Sequence, residues 1–149
     1  MTDYTLLLNQ AKALTDGISY LHANLSNLSA LLFQSLEEIN WAGFYELTDG
    51  QLVLSSFQGK PACVILPLDK GVCAAVARKG CTVNVPDVHE FAGHIACDSA
   101  SQSEIVLPLR DKSGKVAYVL DIDSPIKNRF GECDVQELTK LAKFIESLL

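Results

Sequence analysis

Apolar residues recur at helical spacing at both ends of the chain and at strand spacing between them. Tyr4, Leu7, Leu8, Ala11 and Leu14 fall three or four apart, the spacing of one helix face, with Thr2 or Asp3 available as a cap and Gly17 as a stop. A second helix is predicted from about Ala23, capped by Asn24, with Leu25, Leu28, Leu32 and Leu36 along one side. The last, from about Glu132 to the C-terminus, carries Val135, Leu138, Ala142 and Ile145 as its buried stripe.

In the middle the period shortens. Residues 39–47 are rich in aromatics and meet residues 52–54 across Thr48-Asp49-Gly50, whose Asp-Gly pair signals a hairpin. Gln58-Gly59-Lys60-Pro61 reads as a loop that delivers Cys63 into a short strand over residues 64–66, and Pro67 makes that strand an edge or ends it. Gly71-Val72-Cys73 opens a small helix through Ala77, with Gly80 as its C-terminal stop. Residues 81–85 predict another strand, stopped by Pro86. Residues 87–103 keep no period, and so long an unstructured segment is expected to cover a functional site. Residues 104–109 and 116–123 form a second hairpin across Asp111-Lys112-Ser113-Gly114. The order predicts an α+β fold: a six-stranded antiparallel sheet with N- and C-terminal helices on one face, and loops covering a pocket on the other.

The 149 residues suit one domain over residues 1–149, and an apolar fraction of 48% supplies a core without metal or disulfide staples. A net charge of −6 with only 12 scattered basic residues argues against nucleic acid or an anionic membrane as partner. Met1-Thr2-Asp3-Tyr4 lacks the basic and apolar run of a signal peptide, so a cytoplasmic location is expected. Five cysteines, an odd number, then read as free thiols in a reducing compartment before they read as a disulfide framework.

Two strand patterns carry candidate chemistry. Asp121 and Asp123 leave one face of their strand while Leu120 and Ile122 leave the other, and Trp41, Gly43 and Tyr45 also share a face. If the two faces coincide, rings and carboxylates line one cavity, suited to a small cationic or zwitterionic ligand. The competing reading puts Asp121 and Asp123 on a solvated face and both rings in the core. Cys63, Cys73 and Cys97 sit in or beside Gly- and Pro-bearing segments, which suggests redox chemistry: one thiolate attacks and a second thiol resolves the oxidised product. Beside Cys97, Asp98 disfavours a thiolate and a protonated His94 would favour one. Glu104, Asp121 and Asp123, if gathered, would repel one another and keep at least one carboxyl protonated. A nucleophilic thiol and a neutral acid are what sulfoxide reduction requires. His89, His94, Cys97 and another cysteine could be assembled into a zinc site on paper, but the paired C-x-x-C spacing of structural zinc is absent and no metal is expected. Cys81 reads as a small buried hydrophobe in a strand, and Cys133 as a residue without chemistry.

These residues stand in motifs that resemble the free methionine-(R)-sulfoxide reductases, single-domain proteins of the GAF fold. The resemblance runs through residues 40–45, 58–63 and 71–73, then 87–98 with His94 and Cys97, residues 99–106, Pro108 and residues 120–125. It implies Cys97 as nucleophile, Cys63 as the main resolving cysteine and Cys73 as a secondary thiol able to pair with either. Trp41 and Tyr45 would flank the substrate, and Glu104, Asp121 and Asp123 would bind its polar groups. It implies no bound cofactor and an external thioredoxin/NADPH reducing system, with free methionine sulfoxide and thioredoxin as partners. Ala74 and Ser55-Ser56 depart from the family's usual Gly and Gly-Pro. The alternative is a GAF-type small-ligand or redox sensor without turnover, although such modules normally adjoin an output domain. The two terminal amphipathic helices also offer surfaces for a homodimer.

Overall fold

The computed structural model describes residues 1–94 and 98–149. Helix α1 spans Tyr4–Thr15, and the Asp3 carboxylate starts it by accepting from the Leu6 amide at 2.9 Å. Helix α2 covers Leu21–Ser35, and the hairpin β1 (Trp41–Thr48) and β2 (Gln51–Gly59) follows. At its turn Asp49 and Gly50 both take positive φ, 52° and 73°, the backbone a two-residue hairpin needs. Then come β3 (Ile65–Leu66), α3 (Val72–Lys79), β4 (Val83–Val85), a 3-10 turn (Val88–Glu90), β5 (Ser103–Arg110), β6 (Val116–Ser124) and α4 (Glu132–Glu146).

The strands form one six-stranded sheet in the order β3-β2-β1-β6-β5-β4, antiparallel at every pair. Strand alternation divides the apolar residues into two layers. Ala42, Phe44, Ile105, Leu107, Leu109, Leu120 and Ile122 point to the side packed by α1, α2 and α4. On the opposite side Trp41, Tyr45, Val106 and Val119 join Val72, Cys73 and Val76 of α3. The predicted fold class is the one observed.

Local differences have tertiary causes. In α1 the buried face runs through Leu7, Ala11 and Thr15 and leaves Leu14 exposed, and the buried Thr15 hydroxyl is satisfied by donating to the Ala11 carbonyl at 2.9 Å. Helix α2 begins at Leu21 rather than Ala23, and Asn24 lies inside it, where its amide donates to the Ile18 carbonyl at 3.0 Å and ties down the preceding turn. Strand β2 runs on through Ser55, Ser56, Gln58 and Gly59, so half of the expected 58–61 loop is strand: Gly59 pairs with Trp41 and Gln58 with Ala42. Pairing to β1 overrides the weak local pattern. Ser56 also bridges to α2, its hydroxyl 2.9 Å from that of Ser26 and its carbonyl accepting from Ser29. Cys81 is exposed and precedes β4, which starts only at Val83, so the expectation of a buried strand cysteine is not met.

Candidate functional site

Register builds the site. Strand β6 lies between β1 and β5, with Asp123 opposite both Trp41 and Glu104, and Asp121 opposite both Gly43 and Val106. Directly paired side chains sit about 5 Å apart on one face. Two carboxyls two residues apart on β6 and one on β5 are thereby gathered beneath an aromatic wall. The faces coincide, as the cavity reading required, yet both rings are also buried in the apolar layer on this side of the sheet. The solvated-face alternative fails for Asp121, which is 6% exposed, and Glu104 is 5% exposed.

Gly43 makes the wall possible. A Cβ there would collide with Phe57 and stand 2.8 Å from the Ser56 carbonyl, so what approaches the glycine backbone is β2, at a register irregularity between Gly43 and Tyr45. Phe57 then stacks on Trp41 with centroids 5.2 Å apart, and Tyr45 follows at 6.0 Å. The polar ends of the wall hold the loop that carries Cys63. Trp41 Nε1 donates to the Lys60 carbonyl at 3.1 Å, and the Tyr45 hydroxyl to the Cys63 carbonyl at 2.9 Å.

Burial dominates the electrostatics. Glu104 is pushed up to about 8, first by burial and then by the charge of Asp123. Asp121 and Asp123 are raised well above the usual carboxyl range, each by burial first and then by a neighbouring carboxyl: Glu104 for Asp121, Asp121 for Asp123. His94 Nε2 stands 3.7 Å from Glu104 Oε1, and burial lowers the imidazole's pKa. At that distance, with burial favouring the neutral form of each group, the contact is weak as an ion pair. One oxygen, Asp121 Oδ1, is buried with no hydrogen-bond partner among the described residues. An orphaned carboxyl oxygen in a pocket costs free energy unless a ligand satisfies it.

Of the cysteines, Cys73 is free and buried in the first turn of α3, with its thiol pushed up by burial and then by Asp121, Glu104 and Asp123. Cys63 is half-buried and disulfide-bonded. Cys97, expected as nucleophile, lies outside the described residues. Cys73 Sγ and one oxygen each of Glu104 and Asp121 lie within 4.8 Å of one another. All three hold their protons more tightly than usual, so the set gathers proton-bearing groups at one place. Trp41, Tyr45, Cys73, Glu104, Asp121 and Asp123 all line one pocket of about 600 Å³ including its open mouth.

Sequence reasoning missed two kinds of contributor. Asn40 reaches across to the covering segment, donating to Asp98 Oδ2 and Ser101 Oγ, both at 3.2 Å. Lys60 and Lys70 stand at the pocket. The adjacency of Asn40 to Trp41 was the available signal for the first; for the lysines there was none. His89 lies in the 3-10 turn with a ring nitrogen 3.1 Å from Asp87 Oδ1.

Among known proteins, a GAF domain family model matches residues 22–149. Protein YtsP of Bacillus subtilis is 54% identical over 149 residues, covering 99% of this chain and 91% of its own. The free methionine-R-sulfoxide reductase of Escherichia coli is 48% identical over 146 residues, covering 98% and 88%. The solved structure of fRMsr of Staphylococcus aureus in complex with substrate superposes with a TM-score of 0.94 at 48% identity, covering 100% of this chain and 97% of that one.

Proposed function

The chain belongs to the GAF-domain family of free methionine-R-sulfoxide reductases, and we propose that it reduces free methionine-(R)-sulfoxide to methionine at this pocket. The observation that carries the reading is Asp121 Oδ1, buried and without a partner among the described residues, beside a Glu104 whose pKa is pushed up to about 8. An amino acid with a polar sulfoxide answers both: its ammonium satisfies the orphaned carboxyl, and its S–O oxygen takes a proton from the cluster. The rings of Trp41 and Tyr45 flank the thioether carbons.

In this reading the Cys97 thiolate attacks the sulfoxide sulfur while a carboxyl of the Glu104, Asp121 and Asp123 group protonates the oxygen. In the adduct the protonated oxygen passes from the methionine sulfur to the Cys97 sulfur as the newly formed S–S bond breaks, so that methionine leaves as the thioether and Cys97 becomes a sulfenic acid. The Cys63 thiol attacks that sulfenic sulfur, closing a disulfide and releasing water. Cys73 is the slow alternative resolver, since burial and three carboxyls keep it a thiol. Thioredoxin, reduced at the cost of NADPH, reopens the disulfide. A homodimer through the terminal helices and a cytoplasmic setting complete the reading; no helix of the described residues is long and apolar enough to cross a membrane.

A coupled assay following NADPH with thioredoxin, thioredoxin reductase and the free R-sulfoxide tests it. Many turnovers are expected, and Cys97→Ser should show not even one. Sulfoxide binding without turnover by the intact chain would instead favour a sensor.

A further inference from the structure

Helix α3 opens at the pocket without a side-chain cap. Its eight residues follow Gly71, at φ 94°, where most helices place a Ser, Thr, Asp or Asn whose side chain takes one of the first amides. The first backbone bond of the helix runs from the Ala75 amide to the Gly71 carbonyl at 3.1 Å, so the amides of Val72, Cys73 and Ala74 have no acceptor within it. Gly71, Val72, Cys73 and Ala74 all line the pocket, and the positive end of the helix dipole therefore meets it. A second observation stands against the same turn. Asp121 Oδ1, on a side chain only 6% exposed, has no partner among the described residues and belongs to the same pocket. An oxygen of that carboxyl lies within 4.8 Å of Cys73 Sγ in the first turn of α3.

We propose that the amino end of α3, with Lys70 and Lys60 beside it, holds the α-carboxylate of the substrate and so admits the free amino acid over one whose carboxyl is in amide linkage. The inference rests on the reductase reading above and names what reads the free end of its substrate. An amino acid carries its ammonium and its carboxylate two bonds apart. A ligand ammonium that answers Asp121 therefore brings an anion to the same turn of α3, into a pocket that Asp98, Glu104 and Asp123 also line. Such an anion needs a positive partner. Besides His94, whose imidazole burial favours neutral, the cationic side chains among the described pocket residues are Lys60 and Lys70. Lys70 directly precedes Gly71, and the covering segment packs on its stem: a Cβ at Gly93 would stand 3.3 Å from Lys70 Cβ. Open helix amides supply directed donors to the carboxylate oxygens, and the two ammonium groups supply charge. A carboxamide has no charge and turns an N–H group of its own toward those donors, so the same turn that welcomes the acid disfavours the amide.

The test is calorimetric binding to the full chain carrying Cys97→Ser, so that no turnover intervenes. The two probes are L-methionine-(R)-sulfoxide and its carboxamide, which keeps the ammonium and the sulfoxide. Kd for the carboxamide should be about thirtyfold higher or more, the scale of a lost charge-assisted contact. Adding Lys60→Met/Lys70→Met should raise Kd for the free amino acid about tenfold and move Kd for the carboxamide by no more than about twofold. Lys60→Arg/Lys70→Arg, which keeps both charges, should restore most of the difference between the probes. Equal Kd for the two probes before any lysine is changed, or no binding of either, would overturn the anchor. So would an unchanged Kd for the free amino acid in the methionine pair, or an equal rise for both probes, since the lysines would then serve the shape of the pocket alone. Turnover of the R-sulfoxide by the parent with dithiothreitol is measured separately, and its absence would sink the reductase reading without deciding what holds the carboxylate.

Discussion

The two faces of the sheet are made by the same strands and obey opposite rules. Along β6, Leu120 and Ile122 enter the layer under α1, α2 and α4, where they meet Phe44, Ile105 and Leu107; one residue along, Asp121 and Asp123 enter the pocket. The helix face is buried mainly through apolar contacts, each lowering the free energy of the fold by roughly 25 cal/mol for each Å² removed from water, and its buried Ser29 hydroxyl is hydrogen-bonded to the Leu25 and Ser56 carbonyls. On the pocket face Glu104, Asp121 and the Cys73 thiol are buried together beside a half-buried Asp123, with one Asp121 oxygen unsatisfied among the described residues. That face carries its own apolar layer, with Leu52, Val76, Val106 and Val119 beside the reactive groups, so the cost of holding those groups falls on one side of a single strand layer.

The largest break in this comparison should come from the helix face. Phe44→Ala empties a fully buried site and should cost about 3–5 kcal/mol, seen as a fall in Tm of roughly 10 °C or more, with KM for the sulfoxide unchanged in the folded fraction. A normal Tm would show that the helices do not carry the fold.

Next is Glu104→Gln, expected to lower kcat/KM roughly 10²-fold, the scale of a lost general acid, without lowering Tm at pH 7. The pH dependence sharpens the contrast. Glu104 binds its proton more tightly folded than unfolded, so its contribution to stability is fully present below its ordinary value of 4.5 and is lost as pH rises through about 8. Denaturation between these limits should therefore show stability falling with pH, and Glu104→Gln should flatten that slope. Asp123, Asp121, Cys73, His94 and Tyr45 face the same group, so the apparent midpoint belongs to the cluster. An unchanged slope would remove Glu104 as the proton holder.

The smallest effect tests the hinge between the pocket layer and the sheet. Gly80 ends α3 at φ 68° and its carbonyl accepts from Arg110 Nη2 at 2.8 Å. Gly80→Ala should cost about 1 kcal/mol and leave kcat within twofold. A large loss of activity would mean that the placement of α3 depends on this turn.

The elements were legible where local signals and tertiary packing agree. Leu25, Leu28 and Leu32, the Asp49-Gly50 turn and the Gly80 stop all stand as their spacing predicts. They fail where a distant partner decides: β2 extends because β1 pairs with Gln58 and Gly59, and Asn24 is drawn inside α2 by the Ile18 carbonyl. For the site, the period of two identified Asp121 and Asp123 as companions on one face, and Trp41 with Tyr45 likewise. Lys60, Lys70 and the grip of Asn40 on Asp98 were not legible, because each depends on chain segments brought near only by folding.

By itself, then, the order of residues determined which side chains share a face, since alternation along a strand is a local property of the backbone. It also determined the redox-capable residue types and the α+β arrangement. Tertiary structure alone decided that Asp123 stands between Trp41 and Glu104 and that Asp121 loses its solvent. Register between strands far apart in the chain, and the dielectric around a carboxyl, arise only from the packed whole; together they make Glu104, Asp121 and Asp123 hold their protons more tightly than ordinary carboxyls.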